Sequence, residues 1–252
     1  MRSDRAMPVK AVLFDWGDTL GPVSAERGIA ALPSELVLGR RVLELAASRL
    51  HLDAESNPGL KELEQIGWEP PAEAWRETTA REYLQTAYQL AGRPWPADPA
   101  RERALVLRHS IILIASMRAA PGAVGVLAKL RSRGLRLGLV SNVTENADVV
   151  RALLDRDSLL PYLGVIVCSS SVGVPKPHPA IYQAALDGLG VSAEQTVFVG
   201  DRILQDIAGP RRQGMRAILT QQHRQETPPT SGLGRPNATV GDLREILGLL
   251  PG

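Results

Sequence analysis

Five short apolar runs recur along the chain, at residues 9–14 (VKAVLF), 135–140, 164–167, 196–199 and 216–219. Each is the length of a buried strand, and each stops abruptly at a polar or glycine-containing segment. Between the later runs lie stretches with helical periodicity, at residues 123–133, 145–155 and 180–188, and another beginning near Asp206. Gly134, Gly190 and Gly214 stand where those helices should end before the next strand. Strands alternating with helices of this length predict right-handed βαβ crossovers and a parallel sheet.

Residues 22–120 follow another pattern. Amphipathic helices are expected at 36–50, 72–90 and 100–117, broken by Pro58-Gly59, Pro70-Pro71 and the segment 93–99, and no strand pattern occurs there. The predicted architecture is therefore α/β, a Rossmann-like three-layer parallel-sheet core (residues 1–21 and 121–252) with an inserted all-helical cap domain (22–120). Residues 221–237 are polar and rich in Pro and Gly, and read as a surface loop before a final helix near 242–249.

Composition narrows the partners. The formal charge of the 252 residues is only +2, and the arginine pairs 40–41 and 211–212 are isolated, so nucleic-acid binding has little support. Cys168 is the single cysteine, which excludes an internal disulfide and a multi-thiolate metal site. Residues 1–7 lack the apolar run of a secretory signal, and no stretch approaches the roughly 20 apolar residues of a membrane span. The expectation is a cytoplasmic protein with a small-molecule substrate, as a monomer or a homodimer. Lysine is rare: Lys10, Lys61, Lys129 and Lys176 stand against 25 arginines.

Ligands of an open parallel sheet gather at the carboxyl ends of its strands. Here those ends carry Asp15, then Ser141-Asn142, then Lys176 within Val174-Pro175-Lys176-Pro177, then Gly200-Asp201 with Asp206 five residues on. Each has a plain structural reading alone. Asp15 could be a turn residue, Ser141 or Asn142 a helix cap, Lys176 a loop lysine, and Asp206 an acid favoured by a helix dipole. Their ordered appearance at successive strand ends is much harder to explain that way.

The segments LFDWGDTL (13–20), LVSN (139–142), VPKPHPAIYQAAL (174–186) and VGDRILQDIAGPRRQGM (199–215) resemble the motifs of the haloacid dehalogenase superfamily, whose members are mostly phosphatases. The resemblance spans nearly the whole core. It implies a carboxylate nucleophile at Asp15, forming an aspartyl-phosphate. It also implies Mg²⁺ held by Asp15, the backbone carbonyl of Gly17 and Asp201, with Asp206 orienting that shell. Lys176 would neutralise nucleophile and phosphate, and Ser141 and Asn142 with nearby amides would bind the transferring group.

One position departs from the pattern. The family's phosphatases carry a second Asp two residues after the nucleophile, as proton donor, and this chain has Gly17 there and Asp18 one place later. A carboxylate moved by one residue in a tight turn points elsewhere. Four readings stay open: a Mg²⁺-dependent phosphatase whose leaving group needs little protonation or whose acid comes from the cap or the substrate, a 2-haloacid dehalogenase, a phosphonoacetaldehyde hydrolase-like enzyme, or a weakly catalytic binding or regulatory relative. The intact Gly200-Asp201 and Asp206 favour metal and phosphorus chemistry. The phosphonate reading needs a cap lysine, and Lys61 is the only one in that region. Of the aromatics there, Trp95 between two prolines is the candidate for an exposed or closing element, while His178 is expected to be structural and Cys168 a small buried residue.

Overall fold

A computed structural model describes residues 8–22, 79–90, 92–116, 118–143 and 147–251. Six parallel strands form one sheet in the order β3-β2-β1-β4-β5-β6. They are β1 (Ala11–Phe14), β2 (Arg136–Ser141), β3 (Val165–Cys168), β4 (Thr196–Gly200), β5 (Arg216–Thr220) and β6 (Ala238–Val240). The first five match the apolar runs. Every residue of β1 and β4 is buried, as expected of central strands covered on both faces.

One face of the sheet packs against the helix Pro179–Leu189. Its Ile181, Tyr182, Ala185, Leu186 and Leu189 meet Ala11, Leu13, Val140, Val167 and Phe198. Two glycines allow the strands and helix to approach this closely. A Cβ on Gly138 would lie 2.6 Å from the Val165 side chain, and one on Gly188 would lie 2.7 Å from it. The helices Ala123–Ser132 and Ala147–Arg156 supply further buried apolar positions, among them Val126, Leu127, Leu130, Val150, Leu153 and Leu154.

The expected helix near Asp206 is a wide π-type turn, Ile203–Ala208, which runs into a short α-helix, Gly209–Arg212. The expected final helix is shorter, a 3₁₀ turn at Leu243–Glu245 followed by Ile246–Leu249. Strand β6 was not expected. It pairs at the edge with β5 through Ile218–Ala238, Leu219–Thr239 and Thr220–Val240, and three residues give too short a run to register as a strand pattern.

The described residues form two compact units, one from residues 8–22 and 119–251, the other from 79–118. The second holds the helices Ala80–Leu90 and Pro99–Ser116. Within it Arg81 pairs with Glu102 at 2.5 Å, and Trp95 donates its indole N–H to Glu102 at 3.1 Å while meeting Tyr88 edge-on. Trp95 is thus half-buried and hydrogen-bonded instead of fully exposed. The helix expected at 36–50, and Lys61, lie outside the described residues. Among those residues no helix is long and apolar enough to cross a membrane.

Candidate active site

The strand order reverses between β1 and β4, the neighbours at the sheet's centre, and such a switch point opens a crevice beyond their carboxyl ends. Asp15 follows β1 directly and Asp201 follows β4. The amide of Asp15 donates to the carbonyl of Val199 at 2.9 Å, which continues the β1–β4 ladder one step and fixes where this side chain starts.

Four elements converge there. Lys176 Nζ donates to Asp15 Oδ1 at 2.6 Å and to Asp206 Oδ1 at 2.7 Å. Ser141, the last residue of β2, donates its hydroxyl to Asp15 Oδ1 at 3.3 Å. Asp206 accepts the amides of Asp201 and Arg202 on its Oδ2, at 3.2 and 3.0 Å, so it braces the turn that carries Asp201. Thr19 donates its hydroxyl to Asp201 Oδ1 at 3.2 Å. All these polar residues are buried, with Lys176 only 2 % exposed. Lys176 also stands 5.3 Å from the centre of the ring of Phe198 on β4, a favourable placement for a cation.

Asn142 clasps the backbone of Lys176. Its side chain donates to the carbonyl of Lys176 at 3.1 Å and accepts the Lys176 amide at 2.7 Å. Both ends of the amide group are engaged in positioning the lysine. One step further on, Ser169 clasps Val143, accepting its amide at 2.9 Å and donating to its carbonyl at 3.2 Å. His178 accepts the Ala180 amide at the start of the helix Pro179–Leu189, and Cys168 is fully buried.

The electrostatics follow from this crowding. Burial alone would push the Lys176 ammonium down, but the carboxylates of Asp15 and Asp206 outweigh it and hold the group above the ordinary lysine range. Burial, then the charges of Asp15 and Asp206, push Asp201 up to about 8. Asp206 is raised as well, by burial first, against the pull of Lys176. Oxygens of Asp15, Asp201 and Asp206 all lie within 4.8 Å of one another, so the three carboxylates could hold a metal ion. An all-carboxylate set suits a hard divalent cation, which would relieve the repulsion that raises Asp201.

Of the residues singled out from sequence, Asp15, Ser141, Lys176, Asp201 and Asp206 come together, Asn142 backs the lysine, and Gly17 begins the turn after β1. That turn is tight: Asp18 donates its amide to Gly21 at 2.7 Å and has φ 56, in the left-handed region where Asp and Asn are the least disfavoured side chains after Gly. The Asp18 carboxylate pairs with Arg224 at 3.6 Å, and Arg224 also lies 2.9 Å from Asp201. Two residues of this neighbourhood escaped sequence reasoning. Thr19 lay inside a quoted motif without a role. Arg224 is one arginine among 25, in a segment read as a surface loop.

A family model for haloacid dehalogenase-like hydrolases matches residues 9–214. The chain is 34% identical over 192 residues to the phosphoserine phosphatase of Thermus thermophilus, across 76% of this chain and 69% of that protein. It is 26% identical over 243 residues to the glyceraldehyde 3-phosphate phosphatase of Methanopyrus kandleri, across 95% and 96%. The structure of a 2-haloacid dehalogenase from Pseudomonas syringae pv. Tomato DC3000 superposes with a TM-score of 0.64 at 23% identity, covering 96% of this chain and 97% of that one. That last likeness carries the fold and not the chemistry, since phosphatases and dehalogenases share it. With the model match running from β1 to the helix before β5, the chain belongs to the haloacid dehalogenase-like hydrolases.

Proposed function

We propose that the chain is a Mg²⁺-dependent phosphatase of a small phosphomonoester, with Asp15 as the nucleophile. The observation that carries this reading is the convergence of Lys176 on Asp15 and Asp206 beside Asp201. A carboxylate attacking a phosphate dianion needs positive charge on both partners and a fixed line of approach. Lys176 supplies one such charge, held in place by Asp206, Asn142 and Phe198. Asp15 starts from a strand end and is oriented by two donors, so little of its freedom remains to be lost in the transition state. Mg²⁺ bound by Asp15 and Asp201, with the Gly17 carbonyl as a further donor, would polarise the phosphoryl group and offset its charge. Attack by an Asp15 oxygen on phosphorus, with departure of the alcohol oxygen, leaves an aspartyl-phosphate that water then hydrolyses to regenerate the carboxylate. Ser141 donates toward the same corner and can follow the phosphoryl oxygens.

Gly17 cannot protonate the leaving group. General acid help is typically worth about 10²–10⁴-fold, so esters with good leaving groups should be handled best. The same glycine favours a second reading, dehalogenation, in which halide departs without a proton. Against it stand the buried acids Asp201 and Asp206, since displacement of halide by a carboxylate needs no metal.

A screen of phosphate esters, 2-haloacids and phosphonoacetaldehyde, each with Mg²⁺ and with EDTA, separates these readings. We expect Mg²⁺-dependent phosphate release that EDTA stops and that Asp15→Asn abolishes. Halide release that survives EDTA would sink the phosphatase reading in favour of the second.

A further inference from the structure

The loop after β5 brings one arginine to the acidic cluster. Arg224 Nε lies 2.9 Å from Asp201 Oδ2, and Nη2 lies 3.6 Å from Asp18 Oδ2. The loop is tied down on either side of it. Glu226 accepts the amide of Ile203 at 2.7 Å, the Gln221 side chain donates to the Glu226 carbonyl at 2.7 Å, and the Gln225 side chain donates to the Gln221 carbonyl at 2.6 Å. The guanidinium is therefore delivered to this place by its backbone and is not a surface side chain that has fallen inward.

The guanidinium is ion-paired, but its hydrogen-bonding capacity is not taken up by these contacts. Nε is buried, and its N–H finds no hydrogen-bond acceptor in line in spite of the nearby carboxylate. The contact with Asp18 is too long for a hydrogen bond. About a third of the side chain (34%) remains exposed. A guanidinium held by charge, with a planar fork of unused donors at the rim of a reactive site, is built to receive an oxyanion.

The charge balance points the same way. Asp15, Asp18, Asp201 and Asp206 stand about Lys176 and Arg224, four carboxyl groups against two cations, an excess of two negative charges when all are ionised. A divalent cation would bring that set to neutrality, and a phosphoryl dianion arriving next would still need local donors. Two of the three protons of Lys176 are already directed at Asp15 and Asp206. Arg224 is the cation with donors to spare. Asp18, displaced by one residue from the usual acid position, serves as its counter-ion.

From this we infer that Arg224 binds the phosphoryl oxygens of the substrate, as a second cation besides Lys176. The inference rests on the phosphatase reading for the identity of the oxyanion. Its test is equilibrium binding of inorganic phosphate in the presence of Mg²⁺, by calorimetry on the full chain, for the wild type, Arg224→Ala and Arg224→Lys. Mg²⁺ binding is measured separately in the absence of phosphate.

Arg224→Ala should weaken phosphate at least about tenfold, the scale of a charge-assisted bidentate contact. Mg²⁺ should bind as well as before or more tightly, because a cation beside Asp201 has gone. Arg224→Lys, which keeps the charge but not the fork, should recover part of the phosphate affinity, and it carries the test should the alanine variant not fold. Phosphate affinity within twofold of wild type in Arg224→Ala (or in Arg224→Lys where that variant alone folds), a wild-type chain that binds no phosphate, or parallel loss of Mg²⁺ and phosphate would overturn the inference, the last by making Arg224 a support for Asp201. A chain that binds phosphate through Arg224 yet hydrolyses no ester would instead sink the phosphatase reading and leave this one standing.

Discussion

Gly200 carries no side chain, and the site depends on that. A Cβ there would fall 2.3–2.5 Å from Asp206, against a carboxylate that is fully buried and held by Lys176 and two backbone amides. The neighbour cannot swing away without releasing the lysine. Gly200→Ala should therefore lower kcat/KM for the best phosphate ester by at least about 10²-fold, the scale on which small misplacements act. It should also reduce stability by roughly 1–3 kcal/mol, as overpacking does. Steady-state kinetics and a urea melt check both, and wild-type kinetics would show that Asp206 has room to move. Such residues explain what was legible in advance. Asp15, Ser141 and Asp201 sit at or just beyond strand ends, and Lys176 and Asp206 follow eight and six residues after β3 and β4, so linear order suggested that they share a crevice. Asn142 was visible too, but its partner was not, because clasping the Lys176 backbone depends on the path of a loop. Arg224 was hidden although it sits only four residues beyond β5, because its type is common in this chain and no motif surrounds it.

At the scale of elements, strands were easier to read than the turns that arm them. A buried parallel strand announces itself as an unbroken apolar run, whereas the π-type turn Ile203–Ala208 differs from an α-helix only in how its backbone is wound. Asp206 lies inside that turn, and so does the connection to the following loop: Ile203 donates its amide to Glu226. Two separate segments thus hold each other beside Asp201. Glu226→Ala leaves a half-buried amide without its partner, which should cost about 1 kcal/mol of stability. It should also accelerate amide hydrogen exchange selectively in residues 203–208. Exchange unchanged there while overall stability falls would mean that the loop does not brace the turn. Strand β6 belongs to the same lesson, since its three residues are recruited by the exposed edge of β5 more than by their own pattern.

At the scale of the molecule, a cation that binds only the folded core should stabilise it by mass action. At about 100 times its dissociation constant, a ligand adds roughly 2.7 kcal/mol. For a chain of this size that corresponds to an upward shift of the melting midpoint of roughly 5–10 °C. We expect Mg²⁺ to produce such a shift relative to EDTA, and Asp201→Asn to remove most of it; scanning calorimetry reads both. An unchanged midpoint in wild type would mean that the acidic cluster holds its repulsion without recruiting an ion. The backbone also records where the chain departs from this core and where it comes back. Ala120 donates its amide to the carbonyl of Leu20 at 2.7 Å, so the residues on either side of a long excursion are direct neighbours. An excursion whose two ends already touch places almost no demand on the sheet, because closing a longer loop adds only about 0.6 kcal/mol per doubling of length. That contact works as a port: segments of quite different length and sequence can be spliced in there during evolution, while the strand order and the carboxylates beyond β1 and β4 stay where they are.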